Sequence, residues 1–168
     1  MKKQGQSFVK IEAGYSMAEI EETIRNDYEN RHTYCEYFNT VDGKAAYNDG
    51  DIFSIQFKSA WFLGGVSNYN TYGATFDVET GKKLNLMDVV SDDFSDFSDL
   101  QRVIYYRLES QYGSEVAQAF DEKYSTEKAL KKVNFYVNEK GKVIVCFQTY
   151  ELSYGAAGCL TVTLPSRF

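Results

Sequence analysis

Proline and histidine each occur once in this 168-residue chain, and lysine plus arginine number eighteen against twenty-four acidic residues. The formal charge of −6 argues against a nucleic-acid partner, because binding to a phosphate backbone rests on clustered cations. A basic protein partner is electrostatically easier. The lone His32 falls off the apolar stripe of its predicted helix, so neither a Ser-His-Asp nor a Cys-His-Asn triad has a base in a usable place. No run approaches the ~20 apolar residues that cross a bilayer. MKK at the start resembles the basic end of a signal peptide, yet QGQSFVKIEAG supplies no apolar stretch behind it. The expectation is that any targeting segment has been removed or never existed, with an anchor upstream of Met1 left open. The three cysteines, Cys35, Cys146 and Cys159, show no C-x-x-C or Cys/His spacing, so no zinc site is expected and no cofactor is implied.

What is present describes a folded chain. Hydrophobic residues make up 43% and aromatics 16%, with fourteen tyrosines and twelve phenylalanines, far from the composition of disordered segments. The length matches one domain over residues 1–168, enough to bury roughly two thirds of the surface its unfolded chain exposes. Within it we read an N-terminal helix-and-strand part at 7–63 and a C-terminal part at 64–168.

Periodicity supplies the elements. A short strand is predicted at residues 7–11. SMAEIEETIRNDYENRHTYCEYF then opens with a Ser16/Glu19 capping box and carries Met17, Ile20, Ile24, Tyr28, Cys35 and Phe38 on one helical face. From Lys44 the period becomes two. Asn48-Asp49-Gly50-Asp51 is a turn, and in IFSIQFKSAWFL the residues Phe53, Ile55, Phe57, Trp61 and Leu63 share a face opposite Ser54, Gln56 and Lys58. After Gly64 and Gly65 the alternation resumes in TYGATFDV, with Tyr72, Ala74, Phe76 and Val78 on one side, so this sheet is predicted to be antiparallel and one-sided. Gly81 takes a positive-φ turn position. A second helix carries Phe97, Leu100, Val103, Ile104 and Leu108 and ends at Gly113, and a shorter one spans about 115–124 with Val116, Ala119 and Phe120 inward. NFYVNEKGKVIVCF folds back at Lys140-Gly141, and CLTVTLP closes the chain. The order predicts an α+β fold, an antiparallel sheet packed against two main amphipathic helices.

Two segments resemble a known family. FDVETGKKLNLMDVV, residues 76–90, is similar to an F-D-x-x-T-G-K-x-L-x-L-x-D pattern. NFYVNEKGKVIVCFQTYELSYGAAGCLTVTLP resembles a closing F-x-V…G…F-x-x-Y-E-I-x-x-x-A-A-G…I-P. Both belong to a bacterial extracytoplasmic domain of poorly defined function, found in the ectodomains of lysozyme-responsive anti-sigma factors and beside cell-wall polysaccharide deacetylases. The resemblance implies an extracytoplasmic location and a binding role toward a basic protein such as lysozyme, or toward a cell-wall fragment. It also implies an alternative, an accessory glycan-contacting domain of a peptidoglycan-modifying enzyme. Where the family commonly has Gly-Gly-Ala-His, this chain has Gly64, Gly65, Val66 and Ser67. Its closing loop has Tyr154-Gly155 where Pro and Tyr are usual.

The candidate residues read as binders, not catalysts. Glu151 has no recognisable acid or base partner, so it is expected to accept backbone amide hydrogen bonds in a tight loop with Tyr150 packed beneath it. Gly155-Ala156-Ala157-Gly158 lacks phosphate-loop spacing and reads as close packing. Asp92, Asp93, Asp96 and Asp99 lack calcium-loop spacing and read as a helix cap. Cys146 and Cys159 could bridge if their Cα atoms lie within about 7 Å. Exposed tyrosines suit interfaces and sugar stacking. The binding candidates are therefore Tyr69, Tyr72, Tyr150, Glu151 and Tyr154, with Asn68 beside them.

Overall fold

The computed structural model describes residues 38–62 and 67–168. The predicted strand at 7–11, the first helix with His32 and Cys35, and Leu63 to Val66 lie outside the described residues. Those described form two antiparallel three-stranded sheets and four helices, two of them long, which bears out the α+β expectation while dividing the sheet in two.

In chain order the elements are β1 (Phe38–Asn48), β2 (Ile52–Phe62), β3 (Asn68–Asp77), α1 (Leu86–Val89), α2 (Phe97–Tyr112), α3 (Ser114–Tyr124), α4 (Glu127–Leu130), β4 (Asn134–Val137), β5 (Val143–Phe147) and β6 (Leu160–Leu164). The sheets have orders β1-β2-β3 and β4-β5-β6. The chain divides into two compact units, one of Met1–Val41 with Ser59–Asn68, the other of Asp42–Lys58 with Tyr69–Phe168. In the smaller, the Thr40 hydroxyl donates to the Ala60 carbonyl at 3.4 Å, and Ser59 and Asn68 are buried.

The larger unit is organised by one apolar core. Along β5 every residue is buried, but alternate residues face different ways. Val143, Val145 and Phe147 join Phe135 and Val137 of β4 and Leu160, Val162 and Leu164 of β6 against the helices. The helices answer with Leu100, Ile104 and Leu108 of α2 and Val116, Ala117, Phe120 and Tyr124 of α3. The inward side of α3 is thus centred one residue away from the expected Val116/Ala119/Phe120 stripe, because Ala117 is fully buried and Ala119 only partly. Phe120, Phe147 and Tyr124 form an aromatic cluster with centroids 5.4–6.0 Å apart, a geometry worth about 0.5–1.5 kcal/mol per pair beyond area burial.

Local signals stop and start these elements as their chemistry requires. Asp96 caps α2 by accepting from the Asp99 amide at 3.0 Å. Gly113, at φ 95 and ψ 167, ends α2 and begins α3; its positive φ is as expected, but its ψ is extended and not that of a left-handed helix. Each of the other aspartates of that acidic run also has a partner: Asp99 pairs with Arg102 and Asp93 accepts from the Ser91 hydroxyl, both close in sequence, while Asp92 pairs with the distant Arg167. Gly81 and Gly141 take positive φ at the two expected turns.

The first sheet departs from its reading. The buried face of β2 is the Ile52, Ser54, Gln56 side, and Phe53, Ile55 and Phe57 are half-buried. Ser54 is inside because it is a connector: its Oγ lies 2.9 Å from Thr75 Oγ1 and accepts from the Val137 amide at 2.9 Å. A hydroxyl there satisfies an edge amide of β4 that a methyl could not. The outer edge of β3 is closed in the same manner. Gln148 grips both backbone groups of Thr71 at 3.0 and 2.7 Å, Asn134 accepts from the Gly73 amide at 2.8 Å and donates to the Thr71 carbonyl at 2.9 Å, and the Leu84 amide donates to Thr75 at 2.8 Å. Side-chain amides here do what a further strand would do, covering an edge that would otherwise invite pairing. Gly73 permits the approach, since a Cβ at that position would stand 2.0 Å from the Phe135 carbonyl oxygen.

Candidate functional site

Residues 148–158 leave β5, turn twice and return to β6, and their stability is centred on Glu151. The Glu151 amide donates to the Gln148 carbonyl at 2.9 Å, closing the first turn. Its carboxylate reaches back: Oε2 accepts from the Gln148 amide at 2.6 Å, while Oε1 accepts from the Tyr124 hydroxyl and lies 3.0 Å from Lys123 Nζ. Only 12% of this side chain is exposed. Burial, then the bond to Glu151 and its charge, push the Tyr124 phenol far above its usual range, so it remains a donor. With both oxygens committed, Glu151 is a loop anchor. The expected amide contact is present, but the aromatic ring beneath is Tyr124, reached across the α3–β5 interface.

Tyr150 lies elsewhere. It adopts φ 67, uncommon for a residue with a Cβ, and its ring rests on Gly155, where an added Cβ would stand 2.1 Å from the ring carbon Cζ. The glycine is required by that contact and not by its own backbone angle. Leu152 is buried below, residues Gly155–Ala157 make one 3-10 turn, and Gly158 at φ 68 directs the chain into β6. The expected close packing of Gly-Ala-Ala-Gly is thus confined to the contact of Gly155 with Tyr150: none of Gly155–Ala157 is buried, and a Cβ at Gly158 would meet nothing within 4 Å.

The start of β3 is tied to this loop. The Thr149 amide donates to Asn70 Oδ1 at 3.1 Å, the Thr149 hydroxyl donates to the Tyr69 carbonyl at 2.7 Å, and Asn70 Nδ2 donates to the Tyr72 hydroxyl at 3.3 Å. Tyr69, Tyr150 and Tyr154 consequently emerge from one hydrogen-bonded framework, with 61%, 62% and 75% of their surface exposed. Tyr72 is half-buried, and Asn68, only 6% exposed, lies in the smaller compact unit. Sequence reading missed Lys123, Tyr124, Gln148, Thr149, Asn70 and Thr71. Their contacts span 27 to 80 residues of chain, and no local period marks such partners.

Among the described residues no three His, Cys, Asp or Glu side chains stand together as a metal site, and no helix is long and apolar enough to cross a membrane. Cys146 in β5 and Cys159, just before β6, are free thiols, the first buried and the second half-buried.

Comparison with known proteins finds a family match over a little under half of the chain. Residues 87–167, which include α2 to β6 and the whole loop, match the model of a family described as a protein of unknown function, DUF3298. Two solved structures share the fold. One is a DUF3298 family protein from Pseudomonas aeruginosa PAO1, at 14% identity and TM-score 0.52, covering 89% of this chain and 66% of its own. The other is a member of the same family from Bacteroides fragilis, at 17% identity and TM-score 0.56, covering 98% of this chain and 64% of its own. The chain thus spans just under two thirds of the length of either. No curated protein matches it.

Proposed function

We propose that this chain is a non-catalytic, extracytoplasmic recognition domain whose binding surface is the tyrosine face carried by the 148–158 loop and the start of β3. The observation behind this reading is that three tyrosines, each more than 60% exposed, are carried by a loop anchored through Glu151 and by the strand start hydrogen-bonded to that loop. Rigid exposed tyrosines give large contact area at low entropic cost, which is how they come to anchor interfaces. Glu151 holds the platform and takes no part in bond-making.

The partner best suited to the net charge of −6 is a basic protein, and the resemblance to lysozyme-responsive ectodomains makes lysozyme the first probe. The same aromatic surface favours a second reading, an accessory domain that stacks on cell-wall glycan. Binding isotherms with lysozyme and with soluble peptidoglycan fragments, at low and high salt, separate the two. A charge-steered protein complex weakens as the Debye length falls from about 10 Å toward 3 Å, whereas sugar stacking hardly changes. Failure of both probes to bind, or binding unaffected by replacing Tyr150 and Tyr154 with alanine, would end the proposal.

A further inference from the structure

Cys146 and Cys159 are nucleophiles that the recognition reading does not use, and the strand register relates them closely. Cys146 stands opposite Thr161 and Phe147 opposite Leu160, so the continued register sets Cys159 opposite Gln148. Alternate residues share a face, which puts Cys146 and Cys159 diagonally on the side away from the helices. Tyr136 lies on the same side, since its strand partner is Ile144, two residues from Cys146. Diagonal neighbours in an antiparallel ladder have Cα atoms about 7–8 Å apart, against the 4.4–6.8 Å that a disulfide usually spans, so closure asks for about 1 Å of movement. Gly158, at φ 68 and immediately before Cys159, is the natural hinge for it.

We propose that Cys146 and Cys159 are a redox pair that closes across the β5–β6 ladder when a small-molecule disulfide is supplied, tightening the loop that bears Tyr150 and Tyr154. Cys159 is the attacking thiol. It is only half-buried: burial raises its thiol too, but hydrogen bonds from Thr71 oppose that rise, whereas burial holds the fully enclosed Cys146 well above the usual thiol range with nothing to oppose it. The Cys159 thiolate attacks one sulfur of the small disulfide and expels a small thiolate. Cys146, on losing its proton to solvent, then attacks the Cys159 sulfur and expels the second. Two protein thiols are oxidised, one small disulfide is reduced to two thiols, and the protons released from the protein balance those they take up.

The consequence for ligand capture rests on the loop being the recognition surface, but the bond itself does not, so the two are measured separately. The full chain carrying Cys35→Ser is incubated with oxidised glutathione and followed by intact mass and peptide mapping. The expected product lacks two hydrogens, carries no adduct, joins the peptides of Cys146 and Cys159, and melts roughly 4–10 °C higher. Amide exchange across 148–158 slows. Cys146→Ser should trap a glutathione adduct on Cys159, and Cys159→Ser should stay unmodified. A persistent adduct in the protein with both thiols, or modification of Cys146 first, overturns the proposal. A bridge that forms without slowing exchange in the loop overturns the tightening. A bridge that forms and tightens the loop while the reduced protein binds neither lysozyme nor glycan supports the pair and ends only the recognition reading.

Discussion

On its helix side the second sheet presents Val143, Val145, Phe147, Phe135, Val137, Leu160, Val162 and Leu164, all buried in one apolar cluster. On its other side the same strands present Asn134, Tyr136 and Cys146, and Gln148 continues that row, grasping the backbone of β3 with amide side chains. The first side is held by burial, which is non-directional and tolerant of small shifts in shape. The second is held by hydrogen bonds that must be made in particular places. That contrast explains why the exposed tyrosines sit where they do. A loop whose rings face solvent draws little stability from burying them, and this one is anchored by polar contacts around Glu151 instead.

The comparison breaks most severely on the apolar side. Phe120→Ala removes a fully buried ring stacked on Tyr124 and set edge-on to Phe147, and should cost about 3–5 kcal/mol in denaturant unfolding. Gly73→Ala tests the polar side by crowding alone, since its Cβ would meet the Phe135 carbonyl at 2.0 Å. A loss of about 2–3 kcal/mol is expected, with β3 and β4 exchanging their amides faster. An unchanged stability would mean that the two sheets do not meet at Gly73 as described.

Glu151→Ala comes next. It strands the Tyr124 hydroxyl and the Gln148 amide, and a cost of about 2 kcal/mol follows from leaving buried donors unpaired. Glu151→Gln keeps the shape and an acceptor and should cost clearly less. If both variants are neutral, the carboxylate is not what holds the loop.

A milder effect is expected from acid. Asp49 is held below its ordinary value mainly by the Ile52 amide, Asp77 by the Thr80 hydroxyl and Asp99 by the Ser95 hydroxyl. A carboxyl whose folded pKa is depressed binds its proton more readily when unfolded, so its stabilisation is complete above the unfolded value of 3.8 and drains away as pH falls below it. Amide exchange at the 49–52 and 77–80 turns should therefore rise below that pH before the helix-side core responds. A core that loosens first, or turns that loosen well above that value, would count against this ordering.

How much of this was legible in the sequence follows the same divide. The stripe of α2, the turns at Gly81 and Gly141 and the Asp96 cap each depend on neighbours a few residues away, and local spacing records such neighbours. The inward Ser54 was misplaced because an alternating pattern reports polarity, and here a serine is buried to satisfy an amide 83 residues distant. The same limit hid Tyr124 beneath Glu151. The tyrosines could be named as candidates from composition, but only the framework around Thr149 brings Tyr69 beside the loop that carries Tyr150 and Tyr154.

The smallest expected change in stability is also the sharpest test of the contrast. Tyr154 is 75% exposed, and Tyr154→Ala should alter unfolding free energy by no more than about 0.5 kcal/mol, as for surface positions in general. Tyr150→Ala should cost somewhat more, because its ring lies on Gly155 and its removal frees a residue held at φ 67. If the loop is a recognition surface, both variants should lose at least tenfold in affinity for whichever probe the wild type binds, a change of about 1.4 kcal/mol. Separation of the two measurements is the point: a residue that matters to binding and hardly to folding belongs to the presented side. Were Tyr154→Ala to destabilise the chain as much as Phe120→Ala, the ring would have to be buried, and the face described here could not be the one offered to a partner.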